Sequence, residues 1–277
     1  MKLDGKNVII TGATSGIGKE AAIEIAKLNP FIVLPVRNLE KGKKVKKEIA
    51  IKSGNPSIYL LECDLSSFES IRSFAKEYKK RFCKVNLLIN NAGIWERERK
   101  ETKDGIEMNF GVNHLAPFLL TNLLLDEIRA GSPARIINVS SEAHRYAKIN
   151  FDDPEGSNRF SSMQSYGQSK LANILFTRYM ADELKDDGVS VNCLHPGVVA
   201  TNLFDNMNPV LKSVFTLFMT SPRKGAETTV FLATSIHLNG ETGGYYIRKK
   251  IKKPSGAALD DEAARKLWEL SCRYTGI

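Results

Sequence analysis

The stretch Asn7-Val8-Ile9-Ile10-Thr11-Gly12-Ala13-Thr14-Ser15-Gly16-Ile17-Gly18 decides the fold. A short apolar run ends in a glycine-rich turn, and the residues that follow, 16–28, have the length and pattern of a helix. Strand, tight glycine turn and helix in that order form the opening unit of a parallel α/β sheet. Glycine permits positive φ and lets the backbone come close to an anion. The helix start offers free N–H groups and the positive end of a dipole. The turn is therefore a candidate cradle for a pyrophosphate, with Gly12, Thr14, Ser15, Gly16, Ile17 and Gly18 as its residues. Its glycines stand at 12, 16 and 18, which is not the G-x-G-x-x-G spacing, and any tight βα turn can use glycine.

Working outward, the same alternation continues to the C-terminus. Apolar, β-branched runs at 31–36, 57–62, 85–90, 135–140, 189–195 and 244–247 alternate with helix-length segments at 39–51, 68–82, 105–130, 166–184 and 223–235. Runs such as Leu87-Leu88-Ile89 and Ile136-Ile137 are apolar throughout, as strands buried on both faces are. Pro35 lacks a ladder donor and is expected at its strand's end. The expected architecture is a single Rossmann-type, doubly wound parallel sheet of about seven strands with helices on both faces. No linker, repeat or low-complexity tract divides the 277 residues, so 1–277 read as one domain.

The composition is 42% hydrophobic and 26% charged, that of a folded chain rather than a disordered or fibrous one. Forty Lys and Arg against 31 Asp and Glu give +9, which suits an anionic partner. The runs Lys41-Gly42-Lys43-Lys44-Val45-Lys46-Lys47 and Arg248-Lys249-Lys250-Ile251-Lys252-Lys253 read as a solvated helix face and an exposed loop. No aromatics are interleaved with them, so nucleic acid is not an expected partner. Four scattered cysteines, without C-x-x-C or a Cys/His cluster, predict neither zinc nor a disulfide framework. No signal-like or membrane-spanning apolar stretch stands out, and the expected location is cytoplasmic.

The second strand ends in Val36-Arg37-Asn38. A fold preferring NAD places a carboxylate there for the ribose hydroxyls. Here Arg37 stands instead, and a guanidinium suits a 2′-phosphate. The expected cofactor is NADP(H), with Arg37 and Asn38 beside that phosphate.

Tyr166-Gly167-Gln168-Ser169-Lys170 puts a phenol and an ammonium four residues apart, on one helix face. A phenol near pKa ~10 is a poor acid–base catalyst, and a neighbouring ammonium would bring it toward the working range. Such pairs are common on helices. What singles this one out is its company: Asn90-Asn91-Ala92-Gly93, Gly111-Val112-Asn113-His114, Asn138-Val139-Ser140-Ser141, and His195-Pro196-Gly197-Val198-Val199-Ala200-Thr201. All but Asn113 fall near the carboxyl ends of expected strands, where open α/β sheets bind ligands.

With these motifs and the T-G-x-x-x-G-x-G turn, the chain resembles the short-chain dehydrogenase/reductase family over nearly its whole length. The resemblance implies a catalytic set of Asn113, Ser141, Tyr166 and Lys170, with Ser140 as the competing serine. It implies that Tyr166 exchanges the proton, Ser141 holds the substrate oxygen, Lys170 tunes Tyr166 and binds ribose, and Asn113 positions a water. It further implies that Asp64 and Leu65, with Asn91, Ala92 and Gly93, line the adenosine side, and that Pro196, Gly197 and Thr201 meet the nicotinamide end. For Asp64 the plain alternative is a helix N-cap. His114 and His195 read as neighbours of these motifs rather than as proton donors.

The 24 residues between Ser141 and Tyr166, together with Ser169–Thr177 and Leu267-Trp268-Glu269-Leu270-Ser271-Cys272, resemble the retinol dehydrogenase-like, NADP-using branch. That implies a lipophilic alcohol or carbonyl as substrate. Residues 203–221 are rich in Phe, Leu, Val and Met and are expected to form a lid over it. Their apolar face and the net charge are compatible with peripheral membrane contact, and the family resemblance with a homodimer. A non-catalytic NADP(H) sensor on the same fold is the alternative; it would need the glycine turn and Arg37 but not the Ser–Tyr–Lys–Asn set. Epimerase or dehydratase relatives usually carry a larger C-terminal domain than this length leaves room for.

Overall fold

The computed structural model describes residues 1–197 and 220–277. Thr201 and residues 203–219 of the expected lid lie outside the described residues. The chain begins with β1 (Asn7–Ile10), α1 (Gly16–Ala26), β2 (Phe31–Val36), α2 (Leu39–Ser53), β3 (Ile58–Glu62), α3 (Phe68–Arg81) and β4 (Leu87–Asn90). Next come α4 (Met108–Phe110), a π-helical turn (Gly111–Leu115), α5 (Ala116–Leu123), α6 (Leu125–Ala130) and β5 (Ala134–Val139). After a 3-10 turn (Glu142–Tyr146) follow α7 (Ser162–Glu183), β6 (Val189–His195), α8 (Pro222–Thr234), β7 (Tyr245–Ile247), β8 (Lys250–Ile251) and α9 (Asp261–Thr275).

The eight strands form one sheet in the order β3-β2-β1-β4-β5-β6-β7-β8. The first seven are parallel and β8 is antiparallel to β7. Alternation along each strand sends side chains to two cores. Ile9, Val33, Leu61, Leu88, Ile136 and Val191 pack with Phe74 and Tyr78 of α3, Phe118 of α5 and Phe176 of α7. Val8, Ile10, Ile32, Leu34, Leu87, Ile89 and Leu194 pack with Ala22 and Ile25 of α1, Val45 and Ile49 of α2 and Leu232 of α8. Helices therefore cover both faces, as expected. The strand order reverses between β1 and β4, which opens a crevice at their carboxyl ends.

Three local expectations need correction. The basic run at 248–253 is not a plain loop: it makes the eighth strand. Arg248 and Lys249 take φ of 50° and 63° at the two-residue turn between β7 and β8, so the hairpin closes without the usual Asn-Gly. Pro35 is the penultimate residue of β2, paired opposite Leu61. It is tolerated because Phe31 donates toward β1 through Lys6 and residues 33 and 35 face the same way, while β1–β2 pairing has ended at Val33. The long helix expected over 105–130 is broken by the π-helical turn and again at Leu124. Among the described residues no helix is long and apolar enough to cross a membrane.

Candidate active site

A cleft of about 720 Å³ runs along the carboxyl ends of the strands. At one end lies the glycine turn. Gly12 has φ of 67°, and a Cβ there would stand 2.8 Å from Ala92 Cα, so both its conformation and its space demand glycine. The turn is pinned to the next strand end. Thr11 Oγ1 accepts from Asn91 N and Ala92 N, each at 3.0 Å, and Asn91 Nδ2 donates to Thr11 O at 2.9 Å. Asn91 is thus a fastening for the cradle as well as part of its wall. Ser15, the N-cap residue of α1, makes no side-chain cap hydrogen bond, and the first turn carries no acid. The N-terminal amides of α1 therefore face the cleft uncapped, which fits a pyrophosphate.

Arg37 is exposed on the cleft wall beside Pro35 and Val36. Asn38, next in the chain, caps α2: its Oδ1 accepts from Lys41 N at 2.9 Å. Asp64 and Leu65 line the cleft. The N-cap of α3 is Ser67, not Asp64. Burial raises the Asp64 carboxyl, but its hydrogen bonds from Ser66 and the Lys103 ammonium 3.0 Å away outweigh that and hold it below the usual carboxylate range. Gly93, Pro196 and Gly197 complete the wall.

At the far end Ser141, Tyr166 and Lys170 converge. Ser140 and Ser141 separate cleanly: Ser140 Oγ is buried and donates to Lys170 O at 2.7 Å, whereas Ser141 opens the 3-10 turn, accepts from Ala143 N and lines the cleft with Tyr166. Burial pushes the Tyr166 phenol up to about 12, and the Ser141 contact alone pulls it down. The ammonium lies over the ring, 5.6 Å from its centre, and donates to Val139 O at 3.3 Å, while burial lowers Lys170 itself to about 8. His195 also lines the cleft, and burial lowers it to about 4, so it is neutral near pH 7. His114 is buried away from the cleft against Ser271.

Asn113 sits in the π-helical turn, fully buried behind the cleft wall. Its Nδ2 donates to Ile94 O at 2.9 Å and Ser169 Oγ at 3.0 Å, and its Oδ1 accepts from Ile94 N at 2.8 Å. Through these bonds the amide fixes the loop after β4.

The structure adds residues that motif reading passed over. Ile94, Trp95, Met108, Val112 and Met163 line the cleft near Tyr166 and give that end an apolar lining. Trp95 was signalled only by following Asn-Asn-Ala-Gly-Ile directly; nothing in the sequence showed Met163 reaching the cleft. The long interval before Tyr166 is tied down by Gln168, which accepts from Asn150 N and donates to Pro154 O, and by Glu155, which accepts from Tyr274.

The sequence signature of the short chain dehydrogenase family matches residues 6–211. Human retinol dehydrogenase 13 is 41% identical over 99% of this chain and 86% of its own length. A crystal structure of a putative uncharacterized protein from Mycobacterium paratuberculosis superposes with a TM-score of 0.81 at 30% identity, over 99% of this chain and 94% of that one. The Pseudomonas aeruginosa RhlG/NADP active-site complex has the same fold, with a TM-score of 0.73 at 22% identity over 93% and 98% of the two chains.

Proposed function

Because the chain belongs to the short-chain dehydrogenase family and is an oxidoreductase of CH–OH groups, we propose that it interconverts a lipophilic alcohol and its aldehyde or ketone with NADP(H). The observation that carries this reading is the convergence of Ser141 and Lys170 on Tyr166 in the cleft that begins at the glycine turn.

The chain's own residues take definite parts. The uncapped start of α1 and the turn from Gly12 to Gly18 would hold the pyrophosphate, and Arg37 the 2′-phosphate. Lys170, beside Gly93, would hold the nicotinamide ribose. When bound, the nicotinamide supplies or accepts the hydride. In the reductive direction Tyr166 donates its proton to the substrate oxygen, and Ser141 donates a hydrogen bond to the same atom. Burial keeps the phenol protonated at neutral pH, the state a proton donor needs. Once the proton has left, the Lys170 ammonium favours the phenolate. In the oxidative direction the same phenolate is the base.

The apolar side chains of Ile94, Trp95, Met108, Val112 and Met163 support a lipophilic substrate. Retinol in the name of the human relative is consistent with a bulky apolar alcohol. The test is absorbance of NADPH and NADH with a carbonyl panel from small ketones to retinal, for the wild type and Tyr166→Phe. Loss of a general acid is expected to cost about 10²–10⁴-fold in turnover. NADPH binding without turnover on the whole panel would overturn the catalytic reading in favour of a sensor.

A further inference from the structure

The three residues after Gly93 are gripped at alternate positions. Asn113 holds Ile94 by both its N–H and its C=O, at 2.8 and 2.9 Å. Asn109, four residues earlier, holds Glu96 the same way: Oδ1 accepts from Glu96 N at 2.8 Å and Nδ2 donates to Glu96 O at 3.3 Å. Asn109 is itself locked by the buried Glu107 carboxylate, which accepts from its backbone N and its Nδ2, each at 2.9 Å. Two asparagine amides thus replace a partner strand and fix Trp95 between them.

The indole is held as firmly. Its Nε1 donates to Ser162 Oγ at 2.8 Å, and Ser162 Oγ donates to Glu96 O at 2.9 Å. The indole stacks on Tyr166, with ring centres 5.4 Å apart and planes 27° apart. Lys170 Nζ lies 5.6 Å over the Tyr166 ring and the Arg97 guanidinium 5.4 Å over the indole. Two stacked arenes, each under a cation, leave the phenol ring little freedom to tilt.

We propose that Trp95 is a positioning residue: its clamped indole fixes the plane of the Tyr166 ring and shields the phenol from water, so that the hydroxyl meets Ser141 and the substrate oxygen in one geometry. This rests on Tyr166 being the proton donor of the proposed reaction. Misplacing a proton donor by a fraction of an ångström is enough to slow its transfer.

Two readouts test it on the full chain. In Trp95→Leu, kcat is expected to fall about tenfold or more, with NADPH affinity within about threefold of the wild type. Tetranitromethane attacks accessible phenolate, so nitration of Tyr166, mapped by mass spectrometry, is expected to speed up severalfold. Tyr146, which is 80% exposed, is the internal control. Trp95→Phe keeps an arene and is expected to restore most of the protection and most of kcat. If Trp95→Leu fails to fold, Ser162→Ala decides: it frees the indole N–H and is expected to raise the Tyr166-to-Tyr146 nitration ratio about twofold. An unchanged ratio in Ser162→Ala and in any folded Trp95→Leu overturns the proposal, as does equal loss of kcat in Trp95→Phe and Trp95→Leu. No turnover by the wild type on any carbonyl would sink the proposed function, while the nitration ratio would still show whether Trp95 guards Tyr166.

Discussion

Asn113 accepts from the backbone N–H of Ile94 and donates to its carbonyl, so one buried side chain satisfies both polar groups of a residue on the cleft wall. In Asn113→Ala those two groups lose this partner at once, and Ser169 Oγ keeps only the bond it donates to Tyr166 O. Each buried group left unsatisfied costs about 1–3 kcal/mol, so chemical unfolding should report a loss of that order or more. Turnover should fall with it, because Ile94 and Trp95 would no longer be fixed. Asn113→Asp keeps the acceptor and loses the donors; it should lie between wild type and Asn113→Ala in both measurements.

Two glycines of the cleft should fail in different ways. A Cβ on Gly93 would stand 2.9 Å from Lys170 Nζ and 3.4 Å from Asn113 Oδ1. The first is the tip of a flexible side chain, so Gly93→Ala should fold with nearly unchanged thermal stability while NADPH affinity and kcat each drop about tenfold. A Cβ on Gly18 would stand 2.4 Å from Gly12 O and 2.3 Å from Asn91 Nδ2. There backbone must move, and Gly18→Ala should lose about 1–3 kcal/mol of stability. Equal melting temperatures for the two variants would contradict this division.

Arg37 should set the choice between phosphorylated and unphosphorylated dinucleotide. It lies on the cleft wall, exposed. Arg37→Ser should therefore leave stability alone and weaken NADPH by about 10–100-fold, the worth of a charge-assisted contact of about 1.5–3 kcal/mol. NADH affinity should hardly move. Parallel loss for both cofactors in titration would place the 2′-phosphate elsewhere.

The fold was legible because its signals are local and repeated. Each strand is a short apolar run, and the turn from Gly12 to Gly18 marks where the first one stops. β8 escaped notice because Lys250-Ile251 owes its pairing to β7, which no local pattern reveals, and because Arg248 and Lys249 adopt positive φ without being Gly or Asn. Tyr166, Lys170 and Ser141 could be found from motifs. Their electrostatics could not, because desolvation depends on what is packed around them: burial raises the phenol and lowers the ammonium, both against the solution values that sequence reasoning starts from. Nor could the π-helical turn that carries Asn113 be read, since the apolar pattern around it is that of an ordinary helix. Asn109 and Trp95 were invisible for a related reason: their roles lie in contacts between segments far apart in the chain.

Acid should unfold this protein through its histidines as well as its carboxylates. Burial lowers His114 to about 3 and His195 to about 4, and lowers His144 below its ordinary value. Near pH 7 these rings are neutral in the folded chain, and nearly so in the unfolded one. As pH falls through about 6.5 the unfolded chain takes up protons that the folded chain refuses until much lower pH. Stability contributed by the neutral rings is therefore complete above about pH 6.5 and is lost progressively toward pH 4 and below. His114 is the cleanest probe, since it is fully buried, away from the cleft, and bonded through Nε2 to Ser271. His114→Gln retains a polar group for Ser271 but cannot titrate. Its melting temperature should start below that of the wild type at pH 7.5, because an aromatic ring packed near Phe110, Phe118 and Phe176 is gone. It should then fall less steeply between pH 6.5 and 4, so that the two curves converge. Curves that stay parallel over that range would mean that His114 contributes nothing to acid unfolding.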